Sequence, residues 1–145
     1  RGWVHRAGLA HGAILPAHLL VHARDHGVML VGWSCAARLG ERAGLPVIKD
    51  TQRDLYPEEL LRGEPPSVAT DLAMSARCIA RVLGGSAEAL PPSVPEPLRE
   101  VIGAFATTRG QTTGDAWELK QLVGNAAHQA YGPARFHRFE MPGWD

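Results

Sequence analysis

The chain has little of what marks a nucleic-acid-binding, secreted or membrane protein. Fifteen basic and fifteen acidic residues cancel, so no positive field is available to hold a phosphate backbone. The two cysteines, Cys35 and Cys78, come without a secretory signal and are more typical of free thiols in a reducing compartment. No apolar run approaches the roughly 20 residues that span a bilayer. We therefore expect a cytoplasmic protein with no nucleic-acid and no membrane partner.

The composition favours one compact domain. The chain has 145 residues, of which 45% are hydrophobic, and a domain of this size buries roughly two-thirds of the surface that its unfolded chain exposes. Neither an internal repeat nor a low-complexity tract divides the sequence. We expect a single domain over residues 1–145.

The hydrophobic pattern predicts a fold that is mainly α with one small β-hairpin, of the α+β class. Two apolar runs, 17–22 and 28–33, flank a polar connection that ends in Gly27, a residue able to adopt positive φ. Residues 34–56 show only weak periodicity. Apolar residues at helical spacing then predict three helices, at 67–83, after Pro95 and Pro97, and from a Thr112/Asp115 capping box to Tyr131.

The loop before the hairpin and the end of the hairpin carry motif-like sequence. Residues 11–18 read His-Gly-Ala-Ile-Leu-Pro-Ala-His, and residues 32–34 read Gly-Trp-Ser. In order and spacing they resemble the catalytic loop and the metal-binding segment of a eukaryotic-type protein kinase, His-Arg-Asp, four residues, Asn, and then Asp-Phe-Gly. The resemblance puts His11 at the leading histidine, Pro16 at the usual loop proline and Trp33 at the phenylalanine, where a large ring is most simply a core residue.

The same alignment removes the reactive groups. Ala13 stands where the catalytic Asp belongs, and a methyl group cannot accept or orient the proton of a substrate hydroxyl. His18 stands at the Asn that helps to hold magnesium, which prefers hard oxygen ligands. Gly32 stands at the Asp that bridges metal and phosphate. The sequence thus resembles a pseudokinase, with no catalytic residue, no metal site and no cofactor expected.

The second half of the chain extends the resemblance. Pro57 and Glu58 stand at the Pro-Glu that closes a kinase activation segment. In that family an Asp early in the next helix accepts hydrogen bonds from the catalytic-loop backbone, and Asp71 matches it. We expect Asp71 to lie close to His11 and to hold the loop.

One further pair that the resemblance implies is expected to be missing. The Glu of Pro-Glu normally pairs with an arginine ahead of the last helix, and the corresponding position here is Thr112. The pair is therefore lost unless Arg109 reaches back to Glu58 or Glu59.

The resemblance implies a role in protein binding. We expect the chain to be the C-terminal lobe of a kinase-like protein whose N-terminal lobe is absent from it, acting as a scaffold or allosteric regulator. Its partners would be proteins, including the missing N-terminal part. Three segments, at residues 11–13, 115–117 and 131–133, also look like the kinase-like domains of some bacterial J-domain chaperone-type proteins.

Two alternatives remain open. The chain could belong to an atypical Ser/Thr kinase that binds ATP and magnesium and takes its acids from the missing lobe or from Asp25 or Asp50. It could also be a small helical binding domain unrelated to kinases. A Gly-rich loop and a strand-borne lysine in the parent protein would favour ATP binding.

The histidines are better explained as structural or surface residues than as metal ligands. His18, His22 and His26 are four apart, a spacing that would suggest zinc on a helix. On a hairpin they do not converge, because His26 falls in the turn, and we expect them to face solvent. We expect His11 to be a buried histidine whose ring is hydrogen-bonded to the backbone, while His5 has no partner at ligand spacing.

Overall fold

The computed structural model describes residues 2–41, 48, 50–107 and 114–138. Across these residues, short strands in the first third of the chain are followed by helices, which confirms the α+β class. No helix in this part of the chain is both long and apolar enough to cross a membrane. The helices are α1 (Gly2–Arg6), α2 (Glu58–Leu61), α3 (Val68–Val82), α4 (Glu96–Ala106) and α5 (Ala116–Tyr131), and the strands are β1 (Leu9–Ala10), β2 (Leu19–Val21), β3 (Val28–Leu30) and β4 (Ala37–Arg38).

The predicted hairpin is present, with shorter strands than expected. β2 and β3 pair antiparallel, with Leu19 opposite Leu30. On either side the chain tightens into 3₁₀ turns, Pro16–His18 and Trp33–Cys35. Pro16 suits the first position of such a turn because its fixed φ is already helical and it has no N–H to satisfy. Because His18 and Trp33 belong to these turns, their side chains do not follow the in-and-out alternation of the two strands.

A second, unpredicted pairing closes the region before the helices. β1 pairs antiparallel with β4, with Ala10 opposite Ala37. Each strand has only two residues, which is too short for alternation to be recognised in the sequence. The pairing brings the residue before the loop at 11–16 next to the segment that follows the hairpin.

The central element is α3, a predicted helix, which begins at a capping box that the sequence did not predict. Ser67 accepts a hydrogen bond from the N–H of Thr70 at 3.2 Å, and Thr70 Oγ1 accepts one from the N–H of Ser67 at 2.8 Å. Most of α3 is buried because two apolar clusters lie against it. One cluster joins α3 to α4 and α5 through Leu72, Ile102, Phe105 and Leu119.

The other two predicted helices are also present, with one correction at a cap. α4 follows Pro95, and α5 ends at Tyr131 before Gly132, which has a φ of +76°. Asp115 was predicted three residues after the cap, at the N3 position of a capping box. It is itself the N-cap of α5, and its carboxylate accepts the N–H groups of Trp117 and Glu118 at 2.9 Å. Thr112, the predicted cap, lies outside the described residues.

The second apolar cluster positions the loop. Ile14 and Leu15 pack with Met74 and Cys78 of α3, joined by Leu55, Tyr56 and Leu60. The Cys78 thiol also donates to the carbonyl of Ile14 at 3.2 Å. Residues 11–15 are all buried, so the loop is a covered part of the core.

Candidate functional site

The loop at 11–13 is held by a single carboxylate. Asp71 of α3 is 1% exposed, and its Oδ2 and Oδ1 accept the backbone N–H groups of His11 at 2.7 Å and Gly12 at 2.8 Å. A buried N–H without a partner is costly, so this double acceptor satisfies two such groups together. The expected contact between Asp71 and the loop is present.

A third group, whose role the sequence did not predict, contacts the same carboxylate. His5 of α1 places its Nε2 3.0 Å from Asp71 Oδ2, and its side chain is only 12% exposed. The contact joins α1, the loop and α3 at one point. The sequence offered no signal for it, because His5 and Asp71 are 66 residues apart and share no motif.

The ring of His11 is buried and structural, as predicted. Its Nε2 lies 3.0 Å from the carbonyl of Val31, and its Nδ1 accepts the N–H of Ala13 at 3.2 Å. This arrangement requires the neutral tautomer with the proton on Nε2. Burial lowers the pKa of His11, against the opposing effect of the Val31 carbonyl and of Asp71, which agrees with a neutral ring.

Trp33 does not take the fully buried position predicted for it. Its ring meets His11 edge-on, with the centroids 4.6 Å apart, and its Nε1 donates to the carbonyl of Leu30 at 2.9 Å. The side chain is nevertheless 42% exposed. Its polar N–H is satisfied locally, so one side of the indole packs against the loop and the other faces outward.

The ring of His18 lies directly against Gly32. The Nδ1 of His18 lies 2.7 Å from the carbonyl of Ala13, which fixes the ring across the loop. A Cβ added to Gly32 would lie 2.7 Å from three atoms of that ring, Cγ, Nδ1 and Cδ2. Gly32 also has a φ of +81°, which disfavours any residue with a Cβ. The imidazole therefore occupies the space into which a side chain at position 32 would extend. His18 is half-buried, so the prediction that it faces solvent was wrong.

The loop contains three residues without an acidic or basic side chain, Gly12, Ala13 and Pro16. Ala13 is fully buried, so its methyl group is enclosed by the core. Gly12 has a φ of +71°, and a Cβ there would lie 3.0 Å from the carbonyl oxygen of Cys35. Pro16 opens the following 3₁₀ turn. The loop is a turn fixed by hydrogen bonds to Asp71. Because residues 11–15 are buried, they place no acidic or basic side chain at the surface.

The two carboxylates considered as replacements lie on exposed surface. Asp25 is in the hairpin turn, where its Oδ1 accepts the N–H of Gly27 and contacts His22 Nδ1, both at 2.8 Å. The Gly27 hydrogen bond, followed by the one from His22, lowers the pKa of Asp25. The turn lies at the opposite end of the paired strands from His18 and Gly32. Asp50 is exposed at the start of a 3₁₀ helix.

The described residues contain no group of three or more His, Cys, Asp or Glu side chains that could hold a metal ion. Of the three spaced histidines, His22 contacts Asp25, and His26 stacks on Phe136 with the ring centroids 4.5 Å apart. Each of the three rings thus has a different neighbour, because the hairpin separates them.

The segment before Pro57 and Glu58 is hydrogen-bonded to an arginine that the sequence did not predict. Pro57 is buried, while Glu58 is exposed and lies 3.9 Å from Arg62. Arg77 of α3 donates to the carbonyls of Tyr56 at 2.8 Å, Asp54 at 3.1 Å and Ala106 at 2.9 Å. Burial lowers the pKa of Arg77. The position of Arg77 on the inward face of α3 is the sequence signal that could have revealed this role.

The alternative pair predicted for Glu58 lies outside what the structure describes. Arg109 and Thr112 both belong to residues 108–113, which fall between the described ranges. The contacts of Arg77 show that the segment ending at Pro57 is attached to α3 and to the end of α4 without that pair.

Comparison with known proteins gives no independent family assignment. No protein-family model and no curated protein matches the chain.

The first prediction concerns the anchor. Replacing Asp71 with Ala leaves the N–H groups of His11 and Gly12 buried without an acceptor, and we expect a loss of about 1–3 kcal/mol in the free energy of unfolding. Denaturant melts measure it. Asp50→Ala, which removes an exposed carboxylate, is the control and should change stability by less than about 0.5 kcal/mol. A melt of Asp71→Ala equal to that of the control would refute the anchoring role.

The second prediction concerns the His18–Gly32 contact. Gly40 has a φ of +84° and no atom within 4 Å of an added Cβ, so Gly40→Ala measures the cost of positive φ alone, about 1–2 kcal/mol. Gly32→Ala adds overpacking against the imidazole and should cost about 1–3 kcal/mol more.

In a His18→Ala background that extra cost should vanish, because the ring is gone, and a double-mutant cycle by denaturant melts measures the coupling. Equal costs for Gly32→Ala and Gly40→Ala in the native background, or an extra cost that persists without His18, would contradict the packing described.

Proposed function

We propose that the chain is a kinase-like C-terminal lobe of the pseudokinase type, which performs no phosphotransfer and acts by binding protein partners in the cytoplasm. The observation that carries the proposal is the imidazole of His18 lying over Gly32. In the kinase alignment these are two metal-holding positions, and here one fills the space of the other.

The anchoring of the loop supports the kinase-like part of the proposal. The resemblance required an Asp early in the helix after Pro-Glu to accept hydrogen bonds from the loop backbone. Asp71 does so with both of its oxygens. Two motifs 60 residues apart in sequence thus meet in the way that the alignment demands, which an unrelated helical domain has no reason to reproduce.

The residues of the same loop support the proposed absence of catalysis. Magnesium in kinases is held by carboxylate and amide oxygens, and the aligned positions offer an imidazole and a glycine. Ala13, at the position of the catalytic Asp, is buried. Asp25 is engaged by His22 and Gly27 at the far end of the hairpin. These observations disfavour the atypical-kinase alternative.

The outer side of the hairpin supports a binding role. The cross-strand partners Leu20 and Met29 lie on the face opposite Leu19 and Leu30 and are each more than half exposed, and we call them the hairpin patch. Val21 and Val28, nearer the turn on the other face, are also more than half exposed. Leu19 and Leu30 of the same strands are partly buried and pack against the core beneath the loop. Contiguous exposed apolar residues of this kind mark interaction surfaces. We propose the N-terminal part of the parent protein as the occupant.

The proposed lack of catalysis is tested in the longest natural form of the protein. With labelled ATP and either magnesium or manganese, we expect no autophosphorylation and no transfer to a general substrate protein. Asp25→Asn and Asp50→Asn variants form the control series. Phosphate transfer by the unmodified protein would overturn the proposal, and its loss in either variant would identify the acid responsible.

Docking at the hairpin patch is tested by hydrogen exchange. Mixing the chain with the segment that precedes it in the parent protein should slow exchange in residues 17–33 and leave α3 unchanged. Leu20→Asp with Met29→Asp should abolish the effect, because two charges would be buried at the contact. The matched control, Val82→Asp, places a charge on an exposed apolar residue elsewhere and should bind normally. Exchange in 17–33 that is already as slow as in α3 would count against a free docking face.

A further inference from the structure

A cleft lies between α5 and the segment that follows it, away from the loop anchored by Asp71. Its volume is about 450 Å³, within the range of about 300–1,000 Å³ typical of small-molecule sites. The side chains that line it and can donate hydrogen bonds are Tyr131, His128, Arg135 and His137. The remaining lining residues are Gly, Ala and Pro, which leave room between the helix and the segment.

The lining of the cleft carries hydrogen-bond donors and no carboxylate. Counting Lys and Arg, the chain as a whole has equal numbers of acidic and basic residues, whereas residues 119–138 contain three Lys or Arg, two His and no Asp or Glu. Arg135, His128 and His137 are the members of this set that line the cleft. No acidic side chain in the lining would oppose a bound anion. A concave site with this composition favours an anion.

Two contacts fix the walls of the cleft. The N–H of Gly132 donates to the carbonyl of His128 at 2.8 Å, and the positive φ of Gly132 turns the chain out of the helix. Further on, the ring of Phe136 stacks on His26 of the hairpin turn at 4.5 Å. Phe136 lies between Arg135 and His137, so this stacking attaches the segment that carries these two cleft residues to the hairpin turn.

We propose that this cleft binds a small, multiply charged anion that carries phosphate or carboxylate groups. The guanidinium of Arg135 offers paired N–H donors that match the geometry of either group. His128 and His137 add ring N–H donors, and Tyr131 adds a hydroxyl. The proposal does not depend on the kinase resemblance: of these residues only Tyr131 lies in a segment, 131–133, that carries it.

Binding is measured by NMR titration of the isotope-labelled chain at low salt, with inorganic pyrophosphate in one arm and citrate in the other. We expect saturable shifts at residues 124–137 in at least one arm, weakened by added salt. Tighter binding of pyrophosphate assigns the site to phosphates, and tighter binding of citrate assigns it to carboxylates. No saturable shift with either anion at millimolar concentration would overturn the proposal.

Variants separate the cleft from general surface charge. Arg135→Ala should weaken binding about fivefold to tenfold, the effect expected for losing one charge-assisted contact, and Arg135→Lys should recover part of it. Arg53→Ala, which removes an exposed arginine outside the cleft, should leave binding unchanged. An equal loss in Arg53→Ala, or shifts spread over basic residues elsewhere, would show nonspecific attraction and refute the site.

Discussion

The carboxylate of Asp71 joins three parts of the structure, α1, the buried loop and α3. It accepts the N–H groups of His11 and Gly12, contacts His5 of α1, and sits in the first turn of α3, the helix against which both apolar clusters pack. Satisfying the loop backbone in this way allows residues 11–15 to be buried without strand or helix pairing of their own. Because the loop is fixed, His11 can hold Val31, and through it the start of the turn that carries Trp33.

An anchor of this kind says little about catalysis. Its energetic role is to satisfy buried donors, and that requirement persists whether or not an acid follows in the loop. The constraint on chemistry lies in the neighbouring pair, His18 and Gly32. An imidazole fixed to the Ala13 carbonyl and a residue without a Cβ are sterically complementary. A carboxylate at position 32 would therefore require the loss of the ring as well as a new side chain.

The sequence predicted the elements that depend on local signals. α3, α4 and α5 follow from apolar periodicity, and the hairpin follows from two apolar runs with a glycine-ended turn. Asp71 was found because a motif with fixed spacing pointed to it. β1 and β4 were missed since two-residue strands have no periodicity, and the strand ends at 17–18 and 31–33 were wrong because 3₁₀ turns interrupt them. Short local geometry of this kind is decided by packing.

The missed side chains share a different cause. His5 and Arg77 act on groups that are distant in sequence, and each is an ordinary polar residue within its own helix. Arg77 reaches three carbonyls in two separate segments, so its role exists only after α3, α4 and the 3₁₀ helix before Pro57 have packed. The same holds for the cleft beside α5. A neutral overall charge concealed a stretch that has basic residues and no acidic ones. By turning the chain at Gly132 and stacking Phe136 on His26, the fold arranges part of that stretch around a concave surface.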